Sequence, residues 1–128
     1  MGEITGKADG TMKSYNWDDL SWEEVRPGVR RKGFRSGNAL LVLNELRPGM
    51  ETRPHSHPFE QLVYIVQGHV RMTVAEEIHD LGPGGLCVIP PDVTHFADVS
   101  GDQPALNLDV FSPVREDYLH LTKGQAEY

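Results

Sequence analysis

Residues 49–68, GMETRPHSHPFEQLVYIVQG, place two histidines one residue apart and a glutamine four residues further on, with a glycine at each end. In an extended chain successive side chains alternate between faces, so His55 and His57 point the same way and can share one ion. Pro54 has no amide proton and disfavours helix for the residue before it, which keeps the stretch extended as it enters the apolar run QLVYIV. An isolated His-x-His pair is more often a polar strand face than a metal site. Its weight here comes from residues 84–95, GGLCVIPPDVTH, which bring His95 to the start of another strand-like segment.

The pattern around these two stretches is uniform. From Arg30 onward the segments ALLVLNEL, QLVYIV, HVRMTV, GLCVIP, THFADV and ALNLDVF are rich in aliphatic and β-branched residues, and RPGM, QGH, LGPGG, PPDV and SGDQP punctuate them as turns. Short connections with no helical stretch between them predict an antiparallel barrel or sandwich. Helix is expected at two places only. Ser21 and Glu24 in SWEEV have the spacing of a capping box, and REDYLHLTKGQ, with Gly124 near its stop, has the composition of a short C-terminal helix. Residues 1–13 are polar and without a sustained period, which predicts a flexible N-terminal arm followed by a single domain over 14–128.

A chain of 128 residues, 38% of them hydrophobic, suits one domain around one core. No apolar run approaches the ~20 residues that cross a bilayer, and MGEITGKADG lacks an export pattern, so a cytoplasmic protein with no membrane partner is expected. The formal charge of −7 repels phosphate backbones and argues against nucleic acid. It leaves an anionic small-molecule substrate open, because a site can carry its own arginine and cation. The lone Cys87 excludes an intramolecular disulfide and, within LCVI, reads as a buried, inert thiol.

Gly49, His55, His57, Gln61 and Gly68, followed by Gly84, Pro90, Asp92 and His95, closely resemble the paired motifs of the cupin superfamily, and the resemblance covers most of residues 29–114. It implies an all-β double-stranded β-helix, or jelly-roll barrel, holding one divalent metal ion on His55, His57, Gln61 and His95. Three positions depart from the pattern: Gln61 stands where a metal-binding Glu is usual, Asp92 where a turn Gly is usual, and Val99 where an Asn is usual. Three imidazoles and an amide bring no charge to the ion. That favours Lewis-acid chemistry on Zn, Ni, Mn or Fe(II) and argues against an iron oxygenase. Glu60 should face away from Gln61, and His69, His79 and His120, outside both frames, should lie at the surface.

Alternation along Ala105–Phe111 puts Asn107, Asp109 and Phe111 on one face and Leu106, Leu108 and Val110 on the other. A carboxylate facing the interior is costly unless paired or hydrogen-bonded. Asp109 is therefore an ion-pair partner of Arg115, a loop cap, or a general acid or base beside the metal. Arg115 offers a planar fork suited to a substrate carboxylate, or else is a solvated helix residue. The stretch HSHPFEQLVYIVQG and the tail LDVFSPVREDYL together look like the pectin-degradation cupins that act on unsaturated uronate monosaccharides. That likeness implies conversion of 4,5-unsaturated monouronates to linear keto sugars, with Asp109 and Arg115 catalytic and Phe111 and Arg115 binding substrate. The alternatives are a polyketide cyclase-type cupin and a non-catalytic, metal-dependent sugar-binding cupin. The outward aliphatic set of the last strand needs cover, so a homodimer is expected.

Overall fold

The apolar segments form nine strands: β1 (Glu23–Arg26), β2 (Val29–Arg35), β3 (Leu40–Leu46), β4 (Gln61–Gln67), β5 (Val70–Val74), β6 (Glu77–Leu81), β7 (Leu86–Ile89), β8 (His95–Val99) and β9 (Ala105–Phe111). They belong to a computed structural model that describes residues 14–125; the expected arm, residues 1–13, lies outside them. One sheet has the order β1-β2-β3-β9-β4-β7 and the other the order β6-β5-β8. Every pairing within them is antiparallel. This is the antiparallel all-β fold expected from the short turns, and the jelly roll that the cupin resemblance implies. No helix among the described residues is long and apolar enough to cross a membrane.

Period-two patterning decides which face is inside. In β4, Gln61, Val63 and Ile65 are buried while Leu62, Tyr64 and Val66 are exposed. Val29, Leu46, Val63, Ile65 and Ala105 of the large sheet pack with Val70 and Met72 of the small one. A second cluster joins Leu40, Val42 and Phe111 to Leu121, with Phe59, Val114 and Tyr118 against it. Between the two clusters the inward face turns polar. Directly paired residues there are Arg31 with Asn44 and Asn44 with Asn107, and Asp109 follows two residues on. The polar interval is where a cavity opens.

The expected helical turn at SWEEV is not formed. Glu23–Arg26 pairs with β2 instead, Glu23 lying opposite Arg31, and the ladder hydrogen bonds outweigh a local cap. The capping box sits five residues earlier, around the 3-10 turn Trp17–Asp19, where Asn16 Oδ1 accepts from Asp18 N–H and Asp19 Oδ2 accepts from Asn16 N–H. The C-terminal helix is present as a 3-10 segment, Glu116–Thr122, whose Leu121 is buried. Cys87 is half-buried on β7 rather than fully so, and burial pushes its thiol pKa up, away from a reactive thiolate.

The motif positions carry backbone demands. Asp92, in the place of a turn glycine, has φ +64°, a region that Asp tolerates better than most side chains. Gly68 and Gly84 have φ +82° and +85°, but a Cβ on Gly68 would lie 2.7 Å from Ala105 Cα, whereas one on Gly84 meets nothing within 4 Å. Gly84→Ala should therefore cost about 1–2 kcal/mol, the conformational penalty alone. Gly68→Ala should cost roughly 1–3 kcal/mol more, because β9 must move. Urea unfolding of the two variants beside the parent checks the order.

Candidate metal centre

His55 and His57 lie in the connection between β3 and β4, Gln61 opens β4, and His95 opens β8. The backbone joins them before the side chains do. His55 N–H donates to His95 O at 3.1 Å, His95 N–H returns to His55 O at 2.9 Å, and Asp92 N–H donates to His57 O at 2.7 Å. These bonds tie the loop before β4 to the small sheet. The three rings then meet, with centroids 4.4 Å apart for His55 and His95, 4.9 Å for His57 and His95, and 5.8 Å for His55 and His57.

Each ring is oriented in the same manner. His55 Nδ1 faces Arg53 O at 2.7 Å, His57 Nδ1 faces Phe59 O at 2.9 Å, and His95 Nδ1 faces Val93 O at 2.9 Å. A carbonyl oxygen only accepts, so each Nδ1 carries the proton and each Nε2 presents a lone pair. The three rings offer ligand atoms within 4.8 Å of one another, and His95 Nε2 is buried with no hydrogen-bond partner. Burial, the neighbouring rings and Arg115 push the His95 pKa down to about 4, and burial likewise lowers that of His55. Both are therefore neutral donors at neutral pH.

Gln61 places its amide oxygen 3.1 Å from His57 Nε2, where it could serve as a fourth donor. With His57 protonated on Nδ1, two lone pairs face each other across that gap, an arrangement that a shared cation makes favourable. The amide's orientation is set from behind, because its NH2 donates to the Asp109 carboxylate. Asp109 also accepts from Asn44 Nδ2 at 2.9 Å and from Asn107 Nδ2 at 2.8 Å. Loss of water raises the Asp109 pKa, and these amides with the Arg31 charge partly oppose the rise. An orphaned imidazole nitrogen, paired neutral donors and a carboxylate-braced amide fit a divalent cation held by His55, His57, His95 and Gln61.

The same cavity, about 60 Å3, is lined by Asn107, Asp109, Phe111 and Arg115, and also by Arg31, Asn44 and Tyr118. Asp109 is not paired with Arg115. The Arg115 guanidinium is buried over the Tyr118 ring, 3.8 Å from its centroid, and its Nε and Nη2 donate to the Asp117 carboxylate at 2.8 and 3.0 Å. It is thus not a solvated helix residue. Glu60, His69 and His120 are exposed and His79 is half-buried beside Glu77, away from the three-ring cluster.

A protein-family model described as "Cupin domain" matches residues 42–111, more than half of the chain. The chain belongs to the cupin family. Among solved structures it resembles KdgF from Halomonas sp., with 32% identity and a TM-score of 0.70 over 78% of this chain and 94% of that one. An RmlC-like cupin from Shewanella frigidimarina matches at 27% identity and a TM-score of 0.73, covering 82% and 93%. Among curated proteins, an H2HPP isomerase of Bacillus subtilis is 27% identical over 101 residues, 78% of this chain but only 39% of the relative.

Arg31 and Asn44 were not singled out by the sequence. Arg31 lies in the run RRK, which reads as solvated charge until the pairing of β2 with β3 turns it inward. Asn44, a lone polar residue within ALLVLNEL, carried a readable signal. Removing one ring, in His95→Ala, should weaken Zn or Ni binding by more than about 100-fold. His69→Ala, His79→Ala and His120→Ala should leave it unchanged. Calorimetric titration of metal-free protein measures both.

Proposed function

We propose that this cupin is a metal-dependent enzyme that converts 4,5-unsaturated monouronates to linear keto sugars. The observation that carries the proposal is the Asp109 carboxylate, held by three amides in a cavity that His55, Gln61 and His95 also line. The electrostatics support an anionic substrate despite the chain's charge of −7. Arg31 and Arg115 both line the cavity and bring positive charge to it. The tail motif LDVFSPVREDYL, which looks like that of the pectin-degradation cupins, supports a uronate as that anion.

The reaction is an isomerisation. A proton leaves the anomeric hydroxyl, the bond from that carbon to the ring oxygen breaks, and an aldehyde and an enol result. The enol's C4 then takes a proton and its C5 becomes a ketone, so no atom is lost. His55, His57, Gln61 and His95 would hold a divalent cation, which would supply Lewis-acid polarisation of a substrate oxygen. Asp109, the titratable carboxyl of the cavity, moves the proton to carbon, and withdrawal from water makes it a better base than a solvated aspartate. Phe111 forms the wall against which the ring packs, its own ring 6.0 Å from that of His57. Arg115 meets the substrate at the wall it shares with Phe59, Phe111 and Tyr118. The small, mixed-polarity cavity suits a monosaccharide edge better than the fused apolar rings of a polyketide.

Metal-loaded protein should accelerate the loss of the conjugated ultraviolet absorbance of a 4,5-unsaturated galacturonate, and a chelator should abolish the effect. Asp109→Asn should lower kcat by about 10²–10⁴-fold, the usual loss on removing a general acid or base. Acceleration no greater than the spontaneous rate in the metal-loaded parent would refute the assignment. Metal and sugar binding that survive Asp109→Asn without any turnover in the parent would favour the non-catalytic reading.

We also propose that the protein is a homodimer, with its contact on the outer face of β4 and β7. Leu62 pairs with Val88 and Tyr64 with Leu86, and all four are exposed, Leu86 by 73%. They form one uncharged surface on an acidic chain, which a second copy can cover symmetrically. Light scattering after gel filtration should give twice the 14.3 kDa chain mass, and Leu86→Glu should give the monomer.

A further inference from the structure

Two arginines border the cavity, and their circumstances differ. Arg115 has a carboxylate partner in Asp117. Arg31, on the inward face of β2, forms no ion pair among the described residues. Its Nη1 donates to Tyr118 Oη at 2.8 Å, its Cζ lies 5.1 Å from the Tyr118 ring centroid, and its Nε is buried without a partner. A buried guanidinium N–H left unmade is costly, and such a group is kept where a ligand completes it. Tyr118 lies between the two cations, taking the Arg115 guanidinium on its ring and the Arg31 hydrogen bond on its hydroxyl. Asn44, the cross-strand neighbour of Arg31, spends its amide protons on Asp109 and backbone oxygens and makes no hydrogen bond to the guanidinium.

We infer that Arg31 is the principal anchor for the substrate's carboxylate, with its unpartnered N–H aimed into the cavity and Tyr118 holding it in place. The inference rests on the uronate reading of the site. It assigns Arg31 a specificity role: the enzyme takes acids and discriminates against their neutral esters. Arg115, whose charge Asp117 offsets, then shapes the wall and contributes less to the choice between acid and ester.

The test compares KM and kcat of metal-loaded protein on 4,5-unsaturated galacturonate and on its methyl ester. Arg31→Gln should raise KM for the acid by about 10- to 100-fold, the loss of one charge-assisted hydrogen-bonded pair, with kcat changed by less than about threefold. KM for the ester should stay within about threefold of the parent, and Arg31→Lys should recover part of the loss for the acid. Metal content and melting temperature are read on the same samples, and Arg31→Lys carries the comparison if Arg31→Gln does not fold. Equal KM shifts for acid and ester, or an acid-specific shift in Arg115→Gln and none in Arg31→Gln, overturn the assignment. If the parent turns over neither compound, the uronate reading falls and the anion site is read separately, by calorimetry with galacturonate and its methyl ester. A preference for the acid that Arg31→Gln abolishes sustains the site, and the absence of any preference ends it.

Discussion

Three hydrogen bonds from imidazole Nδ1 to backbone carbonyls hold this site together. Each joins a histidine to the carbonyl of a residue two positions away, so each ring's tautomer and direction are fixed by local chain geometry rather than by distant packing. The proton on Nδ1 leaves the other nitrogen free, and the fold brings the three free nitrogens into one small volume. The remaining features of the centre follow from that convergence. The glutamine oxygen completes the set, and Asp109 keeps the amide from flipping by accepting its protons.

The interior shows how a small barrel accommodates so many polar groups. Arg31, Asn44, Asn107 and Asp109 sit between two apolar clusters; Asn44 and Asn107 both donate to the Asp109 carboxylate, and Asn44 also donates to Asn107 O. A hydrogen-bonded network of this kind is tolerated where isolated groups would not be. Among the described residues, the buried side-chain polar atoms without a partner are Arg31 Nε, His95 Nε2 and Asn107 Oδ1, and all three residues line the cavity. Orphaned groups confined to one cavity mark the place where a bound species, rather than the protein, makes the missing bonds.

Much of this was legible in the sequence for a physical reason. Spacing of two on an extended chain places side chains on one face, which located His55 and His57 together, and the same rule separated Asn107, Asp109 and Phe111 from Leu106, Leu108 and Val110. Glycines at positive φ gave the frame around the histidines. The helix proposed at Ser21 failed because a capping motif is local, whereas the pairing of Glu23 with Arg31 depends on chain eight residues away. Arg31 was hidden for the same reason, since the register of β2 against β3 decides which residue of a charged run faces inward. The partner of Arg115 was equally unreadable: Asp117, two residues away, takes the fork that Asp109 was a candidate to take.

The bridge between His55 and His95 joins segments that are far apart in the chain, one entering the large sheet and the other beginning the small one. A cation seated on both rings therefore closes a loop of roughly forty residues, with much the same topology as a disulfide staple, in a protein whose single cysteine cannot make one. Such an ion would fasten the two halves of the barrel together. Its departure would lengthen the effective free chain and let the halves part more readily, which ties the working life of the folded protein to metal supply.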